Sequence, residues 1–218
     1  MLKLVLFIMS FLITGLTHAA SAVFDEFNAG IGGWSPNTIE TNVGLSPAGG
    51  NPGGYLLTDN LGDSTSFGVV GSVNQGADYS GDFADGLWTI SVDLNFIRGE
   101  FNDAWLRFRY QNATFNGWHY SLTDTIVNDT WNSYSVTFDT TWTNAEAELN
   151  GWVQESLSPD FATLWDDVYG SEVRILGNNQ LNMVAGIDNY SASVVPVPAA
   201  VWLMLSGLVG LVAVARKK

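Results

Sequence analysis

The sequence predicts an all-β fold, a jelly-roll antiparallel β-sandwich. Three observations carry this. Apolar and polar residues alternate with period two along several stretches of the middle of the chain. Turn-forming Gly and Asn pairs separate these stretches. Only one short segment carries helix signals. An uncharged apolar run at each end frames the domain, so the chain divides into 1–22, 23–193 and 194–218.

Residues 1–22 read as a signal peptide. Lys3 precedes an apolar core over 4–16, and the small residues Ala20, Ser21 and Ala22 follow. That core is too short for a comfortable membrane span. Next comes a turn-rich segment, "SPAGGNPGG", leading into the strand-like "YLLT". Its glycines are suited to positive φ, and without a lysine it does not resemble a phosphate-binding loop.

The clearest strand is 87–97, with Trp88, Ile90, Val92, Leu94 and Phe96 on one face and Thr89, Ser91, Asp93 and Asn95 on the other. The stretch 103–112 alternates again. Leu106, Phe108 and Tyr110 form its core face, so Trp105, Arg107 and Arg109 point the other way. Residues 131–139 supply Trp131, Tyr134, Val136 and Phe138, and "SEVRILG" and "GIDNYSASVV" supply the last two strands. Turns are expected at Asn116-Gly117, Asn150-Gly151 and Gly177-Asn178-Asn179. The one helical segment opens at Ser158-Pro159-Asp160, with Pro159 at the first helical position, and stops by Gly170.

The last segment is apolar and uncharged over 199–215, then ends in Arg216, Lys217 and Lys218. As a helix it measures roughly 25 Å, a short transmembrane span. The basic end belongs in the cytoplasm, so the domain lies outside the inner membrane. Pro196-Val197-Pro198-Ala199-Ala200-Val201-Trp202, then the glycine-containing helix and the basic end, resemble the PEP-CTERM sorting signal of Gram-negative bacteria. Val197 stands where that family's namesake glutamate stands, a frequent variant. The resemblance implies exosortase as processing partner, transient anchoring in the membrane, and release to the cell surface or a biofilm matrix.

Between the two ends, 22 acidic residues face only Arg98, Arg107, Arg109 and Arg174, a formal charge of about −18. Such a surface is wrong for nucleic acid and suited to divalent cations. The absence of cysteine excludes disulfides and thiolate chemistry. His119 is the domain's one histidine, and no Gly-x-Ser-x-Gly elbow accompanies it, so a Ser-His-Asp triad is not indicated. Nothing singles out a carboxylate pair for glycoside hydrolysis. Sugars stack on exposed aromatic rings, and the domain has eight tryptophans. Trp34, Trp105, Trp118 and Tyr120 are assigned to loops or polar strand faces.

Five landmarks in order resemble the laminin B domain (laminin domain IV type A). They are "FDEFNAGIGGW", "GGNPGGYLLTDN", "YSGDFADGLWTISVDL", "LWDDVYGSEVRILG" and "AGIDNYSA", with Tyr190 in place of the usual closing valine. The resemblance implies a galactose-binding-like jelly roll with a recognition or scaffolding role and no enzymatic activity. In jelly-roll carbohydrate-binding modules a structural calcium often joins the first and last strands, which here would use Asp25 or Glu26 with Asp188. The expected function is therefore non-enzymatic adhesion or exopolysaccharide association, with Trp105, Arg107 and Arg109 as the candidate glycan face. The alternatives are a secreted glycan-cleaving hydrolase and a purely structural matrix protein.

Overall fold

The computed structural model describes residues 23–62, 68–83, 85–110, 116–122, 127–177 and 182–195. The strands are β1 (Val23–Asp25), β2 (Ser35–Pro36), β3 (Asn42–Gly50), β4 (Gly53–Asp59), β5 (Val69–Asn74), β6 (Leu87–Arg98), β7 (Phe101–Tyr110), β8 (Gly117–Ser121), β9 (Trp131–Asp139), β10 (Trp152–Gln154), β11 (Val168–Gly177) and β12 (Val184–Val194). Two short helices, α1 (Asn144–Leu149) and α2 (Phe161–Leu164), flank β10.

The strands form two antiparallel sheets, a β-sandwich. One runs β3-β4-β12-β6-β9, with β1 also on β12; the other runs β10-β8-β7-β11-β5-β2. The last strand ties the first sheet together. β4 pairs its first half, β1 pairs Tyr190 to Ala192, and β6 runs along its other side with a register break after Asp188.

The alternation read from the sequence sets the faces. Trp88, Ile90, Val92, Leu94 and Phe96 are all buried, and they meet Leu106, Phe108, Val173 and Ile175 of the opposite sheet. Phe138 stacks on Trp165 at 4.6 Å, and Phe108 meets Trp165 edge-on at 4.7 Å. Such pairs add to the apolar burial that drives the sandwich together.

Several expectations are corrected here. Trp34 does lie in a loop, just before β2, but its ring is buried, and Trp118 of β8 points into the core rather than to an outer face. Each indole N–H has its own acceptor, Asp25 Oδ2 at 2.7 Å for Trp34 and the Pro159 carbonyl at 3.0 Å for Trp118, so burial leaves no polar group stranded. Tyr120 packs inward against Trp152 at 5.7 Å. The helix expected between Ser158 and Gly170 is limited to Phe161–Leu164. Val168 exchanges both backbone hydrogen bonds with Gly81, and that bridge draws the chain into β11. Gly117 lies in β8 rather than in a turn; a Cβ there would sit 2.1 Å from the Phe108 carbonyl oxygen. Helix α1 was not expected, although Thr143 and Glu146 form a capping box at its start.

Asn178 and Asn179, the segment 1–22, and the sorting residues Pro196, Pro198, Arg216, Lys217 and Lys218 lie outside the described residues. Among the described residues no helix is long and apolar enough to cross a membrane.

Candidate functional site: a groove on the outer face of the second sheet

Because Leu106 and Phe108 point into the core, Trp105, Arg107 and Arg109 of β7 share the opposite, outer face. Antiparallel register brings the neighbouring strands' side chains to the same face. Across β8, His119 stands opposite Arg107 and Ser121 opposite Trp105. Across β11, Glu172 stands opposite Arg107 and Arg174 opposite Trp105. Glu155, one residue beyond β10, reaches in from the side.

Residues 37–39, following β2, rise beside this floor and close a groove of about 490 Å³. Gly71 makes that wall possible. At φ +139° it has no side chain, and a Cβ would meet the Val173 carbonyl oxygen at 2.2 Å and Asn37 Nδ2 at 2.9 Å. Asn37 Nδ2 instead donates to Glu172 Oε1 at 3.1 Å.

Arg107 is the keystone of the floor and is almost fully buried. Its Nε and Nη2 each donate to Glu155 at 2.6 Å, and its Nη1 donates to Glu172 at 2.6 Å. Burial works to raise the Glu155 pKa, but the hydrogen bonds and charges of Arg107, with a contact from His119, hold it down at about 2. That His119 contact, Nδ1 to Oε1, is long at 3.5 Å. The same carboxylates hold the Arg107 guanidinium protonated against the cost of its burial. A glycosidase's general acid needs a raised pKa. Glu155 is instead a fixed negative charge.

Trp105 is half-buried and its orientation is locked. Its ring stacks on His119 at 3.9 Å and 14°, and its Nε1 donates to Asp103 Oδ2 at 2.6 Å. Ser121 donates to the other oxygen of Asp103 at 2.6 Å. The structure thus gathers Trp105, Arg107 and Arg109, and adds Arg174, Glu155, Glu172, His119 and Asn37, which sequence reasoning did not place here. Part of that was legible. Alternation along "SEVRILG" puts Glu172 and Arg174 on one face, and Arg174 is one of only four arginines in the domain.

The residues considered for calcium sit at the seam of β1 and β12. Asp25 turns inward, where Trp34 and the Tyr79 hydroxyl donate to it. Asp188 is buried and accepts the backbone N–H groups of Asn51 at 2.6 Å and Asn189 at 2.8 Å. Burial raises its pKa, those two hydrogen bonds oppose the rise, and the nearby charges of Asp93 and Glu26 add to it. Glu26 accepts from Asn28 at 3.0 Å. Among the described residues no group of three or more His, Cys, Asp or Glu is arranged to hold a metal ion. A more open depression of about 590 Å³ near this seam is lined, among the described residues, by residues 24–30 and Gly32. It lacks the convergence of strands seen in the groove.

No family model matches the chain, and no curated protein matches it. Solved structures do. The chain is similar to the family 11 carbohydrate-binding module from Clostridium thermocellum, solved in complex with a β-1,3-1,4-mixed-linked tetrasaccharide, at 19% identity, 81% coverage of this chain, 97% of that chain and a TM-score of 0.51. It is similar to the CBM22-1-GH10 modules of Clostridium thermocellum endo-1,4-β-D-xylanase 10B, complexed with xylohexaose, at 14% identity and a TM-score of 0.51, covering 78% of this chain and 28% of that one. It is also similar to an exo-β-agarase at 13% identity and a TM-score of 0.54, covering 80% of this chain and 25% of that one. The chain spans about a quarter of these two enzymes. These likenesses establish the fold, a β-sandwich of the kind found in carbohydrate-binding modules.

Proposed function

We propose that this chain is an exported, non-catalytic glycan-binding protein of the cell surface or extracellular matrix. Its binding site is the groove over β7, β8 and β11. The observation that carries the reading is Trp105, half-buried and locked by His119 and Asp103, beside arginines on a sheet face walled by residues 37–39. A fixed aromatic ring takes the apolar face of a sugar, and polar groups around it take the hydroxyls. Locking the ring beforehand spares the entropy of ordering it on binding. The carbohydrate-binding modules that share the fold support the reading.

Export rests on the signal-peptide pattern of 1–22. Delivery rests on the Pro196, Pro198 and Arg216-Lys217-Lys218 arrangement, with exosortase as the processing partner and the membrane as a temporary anchor. Intact mass of the surface-exposed protein is expected to lack the segment beyond about Pro198. Recovery of the full basic end in mature material would leave a simple anchor.

The binding test is affinity electrophoresis of wild type and Trp105→Ala through gels containing soluble polysaccharides, alongside a thermal melt. Retention should be lost in the variant with its melting temperature little changed. Unchanged retention with a large loss of stability would make Trp105 a structural residue and remove the site.

A further inference from the structure

We propose that the groove selects carboxylated, uronate-bearing polysaccharide over neutral glycans, with Arg109 and Arg174 as the residues that decide it. This rests on the glycan-binding reading above.

The argument begins with where the positive charge lies. Three of the domain's four arginines, Arg107, Arg109 and Arg174, line this one groove, while its 22 acidic residues leave the domain strongly negative. The groove's own carboxylates do not balance the three. Arg107 consumes Glu155 at both oxygens and takes one oxygen of Glu172. The other oxygen of Glu172 accepts from Asn37. Arg109 and Arg174 are left with distant approaches to that same Glu172, at 4.0 and 3.5 Å. Among the described residues the Nε atoms of both are buried without an acceptor. The Tyr169 ring lies 5.4 Å from the guanidinium carbon of Arg109.

Both arginine side chains are still partly exposed, 14% for Arg109 and 23% for Arg174, and a planar guanidinium matches a carboxylate in two parallel hydrogen bonds. Arg107 spends three of its five N–H donors on Glu155 and Glu172 and is almost fully buried, so it presents little to a ligand. It acts as a positioning residue that anchors Glu172 between the other two arginines. Asp103 is at the far end of the floor, engaged with Trp105 and Ser121. His119 is covered by the Trp105 ring.

Scale points to a polymer. Trp105 and Arg109 are four residues apart on one strand, about 13 Å at ~3.3 Å per residue. One pyranose ring does not span that distance. Arg174 stands directly across from Trp105. A sugar seated at Trp105 therefore presents its carboxylate to Arg174, and a later residue of the same chain meets Arg109. A domain of this net charge repels polyanions at long range, so retention of one must come from a local site.

The experiment is affinity electrophoresis of the full chain in non-ionic detergent with a chelator present. The gels contain polygalacturonate, the same polymer after carboxyl reduction, neutral xylan, or a sulfated galactan. Polygalacturonate should bind at least tenfold more tightly than its reduced form or xylan. Arg174→Gln and Arg109→Gln should each remove most of that difference, with melting temperatures near wild type, and Arg174→Lys should restore it only in part. Equal retention on the reduced polymer or xylan overturns the selectivity and leaves glycan binding standing. Retention of the sulfated polymer alone overturns the carboxylate assignment, and retention only when calcium replaces the chelator overturns the arginine mechanism in favour of cation bridging. Retention on none of the four overturns both this proposal and the reading beneath it.

Discussion

Replacing Arg107 with methionine keeps an unbranched apolar stem and removes the guanidinium with its charge. Two carboxylates are then stranded in a groove that holds them almost out of water, with side-chain exposures of 7% for Glu155 and 0% for Glu172. Removing one partner of a buried ion pair costs about 3–5 kcal/mol. The direction agrees: the hydrogen bonds and charge of Arg107, with a contribution from His119, hold the Glu155 pKa well below its ordinary range against the opposing effect of burial. For a domain of this size each kcal/mol lowers the melting temperature by about 2–4 °C, so a loss of roughly 6–20 °C is expected.

The pH dependence makes the same prediction more specific. In the wild type the depressed Glu155 pKa means that its stabilisation is present above about 4.5 and is lost as pH falls toward about 2. In the variant, burial without Arg107 favours the protonated Glu155 carboxyl in the folded state, so acid relieves the loss. The gap between the two proteins should therefore be widest near pH 7 and shrink as pH approaches 4. Urea denaturation at the two pH values measures it. Arg107→Met combined with Glu155→Gln should recover much of the loss, because Glu172 keeps its hydrogen bond from Asn37 and the approaches of Arg109 and Arg174. A single-variant deficit below about 1 kcal/mol, or one that does not change with pH, would refute the reasoning.

Gly71→Ala should cost more than ~1 kcal/mol and weaken glycan retention together, since the new Cβ strikes the Val173 carbonyl and displaces Asn37 from the groove wall; normal retention would show that the wall is not needed. Thr143→Ala removes the α1 capping box and should cost about 1 kcal/mol in chemical denaturation, with Thr143→Ser largely neutral. Calcium is proposed to stabilise the seam of β1 and β12 through Asp25 or Glu26 with Asp188, and should raise the melting temperature above that in magnesium at equal ionic strength. Identical melts in calcium, magnesium and chelator would remove calcium from the account.

The sequence by itself determined which way side chains face. The period-two pattern of β6 and β7 needs only neighbours along the chain, so it assigned Trp88 to Phe96 to the core and Trp105, Arg107 and Arg109 to the outer face without knowledge of any partner strand. Composition likewise gave the acidic surface and the rarity of arginine. Strand order and register were decided only by the tertiary structure. These place Arg174 across from Trp105, and Glu172 across from Arg107, 65 residues away in sequence. Glu155 arrives from the end of β10, and Asn37 from a loop that can approach only because residue 71 lacks a Cβ. The fates of the tryptophans were decided there too. Trp34 sits in a loop yet is buried because Asp25 supplies an acceptor for its indole, and Trp118 is buried because the Pro159 carbonyl does the same. Burial of a polar aromatic depends on a partner distant in sequence, and a local pattern carries no record of that partner.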